Sequence, residues 1–456
     1  MIKANALKSL GLFICLGYII LDPWMFQNTI NPYFNGIFGK LQIVDIFIPF
    51  IFIYILIYLG STSFHRNSSV LRINNYSIVA IVSILFLALF SGYINKDINF
   101  EYILNILKIG YLFSIYFVFS FYLSSNPNSL HRFILLLAII FLLSAIVSFA
   151  GFLVAFSTGE TNALAKVYEF FPYIERPTRM IGTFSPTSKV FGLYMLILSL
   201  IIFLYKDKLN YKLYLLVVSL ILVCSVLTLS RVSIWILMFW SIIFLNNFNK
   251  KNYLNLSIIL GVLAVFILFQ IITVFHFGDI VNPIISCNEE FIFEQNEYYG
   301  WLEYPHQCKI SGELNYTYSS YFLMKVAAFN AWIDAPFFGN GLGSFEHIWI
   351  DFALNGHMPM YFTQYVFPLV QSTYLTIMVE QGVLSLVIWL CIFIYPIYVS
   401  KRQTIFQENS FIILIWTCFI FIVMFDLDIQ NFRFTYYLFP IIHTLLGFSS
   451  LHTVNK

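Results

Sequence analysis

HFGDIVNPIISCNEEFIFEQNEYYGWLEYPHQCKISGELN, residues 276–315, opens the one long polar interval of this chain, which runs from His276 to Val366. The interval carries ten acidic residues (Asp279, Glu289, Glu290, Glu294, Glu297, Glu303, Glu313, Asp334, Glu346 and Asp351) against two lysines, Lys309 and Lys325. On either side the sequence is apolar. Of 456 residues, 60% are hydrophobic, 20% aromatic and only 10% charged. So little charge places the chain in the membrane class. The net charge is +2 and the basic residues are scattered, so nothing resembles a nucleic-acid footprint. A large polar loop between hydrophobic spans points to work in that loop and at the membrane edge beneath it.

Working outward, a bilayer-crossing helix needs roughly 20 mostly apolar residues. That criterion predicts twelve spans, near 7–25, 42–60, 76–93, 102–123, 133–156, 185–205, 212–229, 232–246, 253–275, 378–400, 410–426 and 432–450. The expected fold class is therefore all-α, a polytopic membrane protein. Spans one to nine occupy 1–275, the large loop 276–366 and the last three spans 367–456. The first apolar run meets Asp22-Pro23-Trp24 with no small-residue cleavage site, which predicts a retained span rather than a signal peptide. No repeat relates the two halves, which argues against inverted-repeat transporters.

Orientation follows from lysine and arginine in short loops. With both termini cytoplasmic, the inner segments carry Lys3, Lys8, Arg66, Arg72, Arg132, Lys206, Lys208, Lys212, Lys250, Lys251, Lys401, Arg402 and Lys456. They carry only Asp207 and Glu408 as acids. The acidic loop then lies outside the cytoplasm. Charges in or against the spans, namely Asp45, Lys108, Lys189, Arg231, Asp426, Asp428 and Arg433, all fall in the outer third. Charge in a span is costly and marks function by default, so the set predicts a polar cavity opening outward.

Three stretches carry the chemistry. The first is Arg176-Pro-Thr-Arg179-Met-Ile-Gly182-Thr183-Phe184, leading into span six. The second is Leu229-Ser230-Arg231, the turn between spans seven and eight. The third runs through Asp334-Ala-Pro336-Phe-Phe-Gly339-Asn-Gly341-Leu-Gly343-Ser-Phe345 to Gln371-Ser372 and Glu380-Gln381-Gly382. Arg179 and Arg231 set two guanidinium forks at the outer edge, the geometry that suits bidentate phosphate recognition. Arg176, Lys189, Lys108 and Lys325 are further candidate cations. Gly339, Gly341 and Gly343 permit tight turns and close approach of a ligand. Residues 321–334 fit an amphipathic helix with Phe322, Val326, Phe329 and Ile333 on one face, lying along the membrane or packed on the spans, and ended by Pro336.

Together these stretches resemble the O-antigen ligase and O-antigen polymerase superfamily over most of the chain. The resemblance rests on Gly182-Thr183-Phe184, Ser230-Arg231, the Pro336 to Phe345 segment, and Glu380 with Gly382. It implies a GT-C-like fold and glycan transfer from undecaprenyl pyrophosphate, with no nucleotide sugar and no cofactor. The family's His-Asn pair is replaced by Gln371-Ser372, and its arginine before the loop proline by Tyr321, with Lys325 one turn on. Gln371 cannot take a proton at neutral pH, so a base, where one is needed, falls to His347, His357, Glu346 or Glu380. Glu380 fits helix packing or the orientation of Arg231 as well.

The missing ligase-type histidine favours a polymerase of lipid-linked repeat units at the periplasmic face of a bacterial inner membrane. Its expected partners are the undecaprenyl-pyrophosphate-linked oligosaccharide, membrane lipids, a chain-length regulator and a flippase of the same pathway, with no nucleic acid. Two alternatives stay open: a ligase transferring glycan to lipid A-core, and a lipid-linked glycan flippase or exporter. Cys15, Cys224, Cys391 and Cys418 lie in apolar runs and pack as small hydrophobes. Cys287 and Cys308 share the polar loop, where an oxidising compartment favours a disulfide over two free thiols. The loop histidines 276, 306, 347 and 357 lack compact ligand spacing, so no metal site is expected.

Overall fold

A computed structural model describes residues 2–21, 35–36, 39–40, 46–60, 69–95, 100–126, 128–158, 174–176, 179–180, 188–228, 232–246, 284–286, 294–296, 301–303, 309–311, 313–355, 370, 372–403, 424 and 436–441. Within them the chain is dominated by helices. These are α1 (Ile2–Leu21), α2 (Ile48–Gly60), α3 (Ser69–Asn95), α4 (Phe100–Ser125), α5 (Ser129–Thr158), α6 (Ser188–Leu204), α7 (Tyr211–Leu227), α8 (Val232–Asn246), α9 (Glu313–Asp334), α10 (Phe345–Leu354) and α11 (Thr373–Gln403). A helical segment follows at 436–441. Portions of α4, α5 and α11 are long and apolar enough to cross a membrane: Tyr102–Leu123, Ser129–Leu153 and Thr373–Ile392. The predicted spans at 253–275 and 410–426 lie outside the described residues, apart from Met424.

Not everything is helical. Four short antiparallel pairs of strands interrupt the order. They are β1 (Asn35–Gly36) with β2 (Gly39–Lys40), β3 (Ile174–Arg176) with β4 (Arg179–Met180), β5 (Ile284–Ser286) with β8 (Lys309–Ser311), and β6 (Glu294–Asn296) with β7 (Trp301–Glu303). The last two pairs nest, so part of the polar interval is a β-arm. The expected all-α class holds for the bundle and for α9 and α10 of the interval, with short strand pairs between 284 and 311.

Long apolar runs make the helices, and aromatic packing joins them. α6 lies against α5, α7 and α8, while α1 packs on α2, α4 and α5. Tyr194 of α6 stacks on Phe141 of α5 at 4.6 Å between centroids. Buried polar groups are paired across helices: the Tyr18 and Tyr111 hydroxyls lie 2.6 Å apart, and Trp240 Nε1 donates to Ser199 Oγ at 3.0 Å. Outward-facing residues are also apolar. Leu56, Val79, Phe86 and Leu216 are each at least 60% exposed, the surface a lipid-facing bundle needs and a soluble one avoids.

Two ends are tied locally. Asn210 caps α7, its side chain accepting from Lys212 N at 3.1 Å. Beside it, the Tyr205 hydroxyl bonds His131 Nδ1.

α9 corrects the predicted amphipathic helix in its length. It begins at Glu313, not 321. Its buried residues are Met324, Ala327 and Ala328, packed with Phe345 and Trp349 of α10 and Val379 of α11. Phe329 and Ile333, expected together on one face, are both exposed, at 47% and 55%. Small side chains let helix backbones approach closely, and Ala327 and Ala328 join Met324 in the contact.

Candidate functional site

The Pro336–Gly343 segment and the Glu380-Gln381-Gly382 segment form one interlocked structure. α11 is broken at Gly382, whose backbone is at φ 78°, ψ 174°. That conformation is open only to glycine. A break in a buried helix strands backbone donors and acceptors. Here the 336–341 turn satisfies them. Asn340 N donates to Val379 O at 2.7 Å and Gly341 N to Glu380 O at 3.0 Å. In return Val383 N donates to Pro336 O at 2.9 Å and Leu384 N to Phe337 O at 3.5 Å. The Asn340 side chain adds bonds to Val379 O (3.1 Å) and Ala331 O (2.9 Å), and Trp332 Nε1 donates to Pro336 O at 3.2 Å. The turn is a splint set into the helix.

The close approach needs glycine on both sides. A Cβ on Gly339 would lie 2.5 Å from Gln381 N, and one on Gly382 would lie 2.1 Å from Phe337 O. Gly339 therefore meets protein backbone, not open space. Gly341 and Gly343, at φ 105° and 78°, face α4 instead: a Cβ would lie 3.3 Å from the Tyr102 ring and 2.7 Å from Asn105 Nδ2, respectively.

A polar collar surrounds the splint. Ser91 and Asn95 of α3 donate to Gly339 O at 3.4 and 3.1 Å. Tyr102 of α4 donates to Ala88 O at 2.5 Å, and Glu380 lies within electrostatic reach of its hydroxyl. Lys108 follows Asn105 by one turn of α4 and is exposed. The sequence reading missed Ser91, Asn95, Tyr102 and Asn105. Their signal was the pairing of polar residues at i, i+4 and i, i+3 near the ends of apolar helices.

The arginine motif lies on other elements. Arg176 and Arg179 are cross-strand partners in the β3–β4 pair, and β4 packs against α5 and α7. Lys189 is the second residue of α6. α7 ends four residues before Arg231, and α8 begins just after it. Those flanks are pinned: Thr228 Oγ1 donates to Ser225 O at 2.7 Å and lies 3.1 Å from Ser233 Oγ, which also bonds Ser225 O. Arg231 itself lies outside the described residues, as do His357, Gln371, Cys287 and Cys308.

His347 and Glu346 sit exposed in the first turn of α10, and Lys325 is half-buried on α9. The structure thus brings Gly339, Gly341 and Glu380 together, and sets Arg179 on a strand that contacts the helix leading to Arg231. Among the described residues no three of His, Cys, Asp and Glu converge as a metal set. The one carboxylate of the collar, Glu380, can accept a proton or orient a cation.

No protein-family model matches the chain, and no curated protein matches it.

Proposed function

We propose that this chain polymerises lipid-linked oligosaccharide at the periplasmic face of a bacterial inner membrane, on a twelve-span, GT-C-like scaffold with both termini cytoplasmic. An acceptor sugar hydroxyl attacks the anomeric carbon of the donor glycan. The bond from that carbon to undecaprenyl pyrophosphate breaks, and the pyrophosphate leaves with the electron pair. Arg179 and Arg231 clamp that leaving group, with Arg176, Lys189 and Lys108 enriching positive charge along its path. The acceptor proton passes to a carboxylate or imidazole, for which Glu380, His347 and His357 are the candidates. A chain-length regulator and a flippase act beside it.

The observation that supports this reading best is the contact of β4, which bears Arg179, with α7, whose pinned end leads into Ser230-Arg231. Two arginine motifs distant in sequence share one support. A fork rigidly mounted on tied helix ends is what stabilising a developing anion requires.

Arg231→Lys tests it. The charge remains, but one ammonium cannot replace two parallel hydrogen bonds. Activity should fall roughly a hundredfold, equivalent to about 3 kcal/mol, at matched protein level. The readout is glycan chain length in complemented cells, and wild-type chains from this variant remove the clamp. In a deletion strain, a single repeat unit on core supports polymerase, whereas bare core turns the reading to ligase.

A further inference from the structure

Four backbone groups at the break in α11 are paired by the splint, yet its side chains do not close the account. Gln381 is 1% exposed, and neither its amide nitrogen nor its amide oxygen has a partner. Ser385, one turn beyond, is 0% exposed and its hydroxyl has none. Leaving such atoms unpaired in an apolar interior is costly. The two residues continue the stripe of Tyr374, Ile377, Trp389 and Ile392, which faces the main core.

Ser385 shares its lack of a partner with Ser144 of the unbroken α5, but it differs from five other helix serines. Ser83, Ser114, Ser199, Ser225 and Ser241 each donate to the carbonyl four residues back. For Ser385 that carbonyl belongs to Gln381, and the Gly382 break lies between them. The hydroxyl and the amide, both without partners, thus flank the break. One amide N–H₂, one amide carbonyl and one hydroxyl supply donors and acceptors together, the two to four partners that a buried water or a sugar hydroxyl takes. No lysine or arginine is buried among the described residues, so the site does not suit phosphate.

We propose that Gln381 and Ser385 form a buried hydroxyl-binding site at the break in α11, separate from the arginine clamp. Its ligand is a neutral hydroxyl group, from ordered water or from a sugar ring. Only the sugar source rests on the polymerase reading. A shared ligand couples the two positions, because either substitution removes part of what the other side chain holds.

The experiment is a double-mutant cycle of Gln381→Met and Ser385→Ala in the full chain. Gln381→Asn takes the first position if the methionine variant does not accumulate. Thermal unfolding is measured in nanodiscs containing lipid and no glycan, and glycan chain length is measured in complemented cells. Water as ligand predicts a double-variant Tm shift that departs from the sum of the singles by at least roughly 2 °C. A sugar hydroxyl predicts additive Tm shifts but coupled loss of chain length. The first arm uses no substrate, so its result stands whether or not the polymerase reading does. Strict additivity in both readouts overturns the site.

Discussion

Replacing Gly382 with alanine tests the splint directly. The native backbone at φ 78°, ψ 174° costs an L-residue about 1–3 kcal/mol. The new Cβ would stand 2.1 Å from Phe337 O and 2.5 Å from Phe338 N. Both atoms are backbone, so no side chain can swing aside, and the splint must withdraw. That overpacking costs a further ~1–3 kcal/mol. It also stretches the bonds from Val383 N and Leu384 N, each worth about 1 kcal/mol. The sum is roughly 4–8 kcal/mol, which at about 2 °C per kcal/mol for a chain of this size lowers Tm by roughly 8–16 °C. Gly110→Ala is the control. It lies within α4 with nothing within 4 Å of the added carbon, and alanine gains about 1 kcal/mol of helix propensity. Thermal unfolding of both variants in nanodiscs, followed by tryptophan fluorescence, is the assay. A Gly382→Ala protein that melts with the wild type would refute the interlock.

Three further outcomes are expected. A reporter active only outside the cytoplasm should work when fused at Asn315 and stay silent at Asn210 or Asn249; silence at Asn315 overturns the orientation. Ser286 pairs with Lys309 in the β5–β8 ladder, and Cys287 and Cys308 are the next residues on the two chains. Reduction should therefore shift gel mobility, and Cys287→Ser should abolish the shift, with a bridge contributing about 3 kcal/mol; alkylation of both thiols in intact cells without reductant excludes it. Phe329, Ile333 and Phe337 are exposed, and the neighbouring Phe338 meets Phe90 of α3 at 5.1 Å. Nitroxides at Phe329→Cys and Ile333→Cys should relax faster with oxygen than with a water-soluble nickel chelate, and the reverse order puts α9 in water.

Hydropathy made the bundle legible. α4, α5, α7 and α8 fall within a few residues of their predicted spans because an uninterrupted apolar run dictates a helix in lipid. α11 begins at Thr373, earlier than its hydropathy suggests, because Thr373 and Thr376 are buried in spite of their hydroxyls. The covering of the α9 face stayed open for a related reason. Periodicity locates an apolar stripe but does not say whether protein or lipid covers it. The glycines flagged a close approach without naming the partner, since contacts between main chains leave no side-chain pattern. The arginines were found as charges out of place. Gln381 was passed over because a glutamine in a glutamate-glycine motif carries no charge to draw notice.

The splint also governs how the molecule is assembled. While the chain is being made, the 336–341 turn emerges before α11 exists. When α11 then enters the bilayer, the carbonyls of Val379 and Glu380 and the amides of Val383 and Leu384 find no partner within their own helix. Each such group in hydrocarbon costs several kcal/mol. α11 is therefore no autonomous insertion unit; it reaches its final depth only by docking onto a turn already waiting there. Cleavage of the connection between α10 and α11 should leave the two fragments associated, because main-chain bonds as well as side-chain packing hold them.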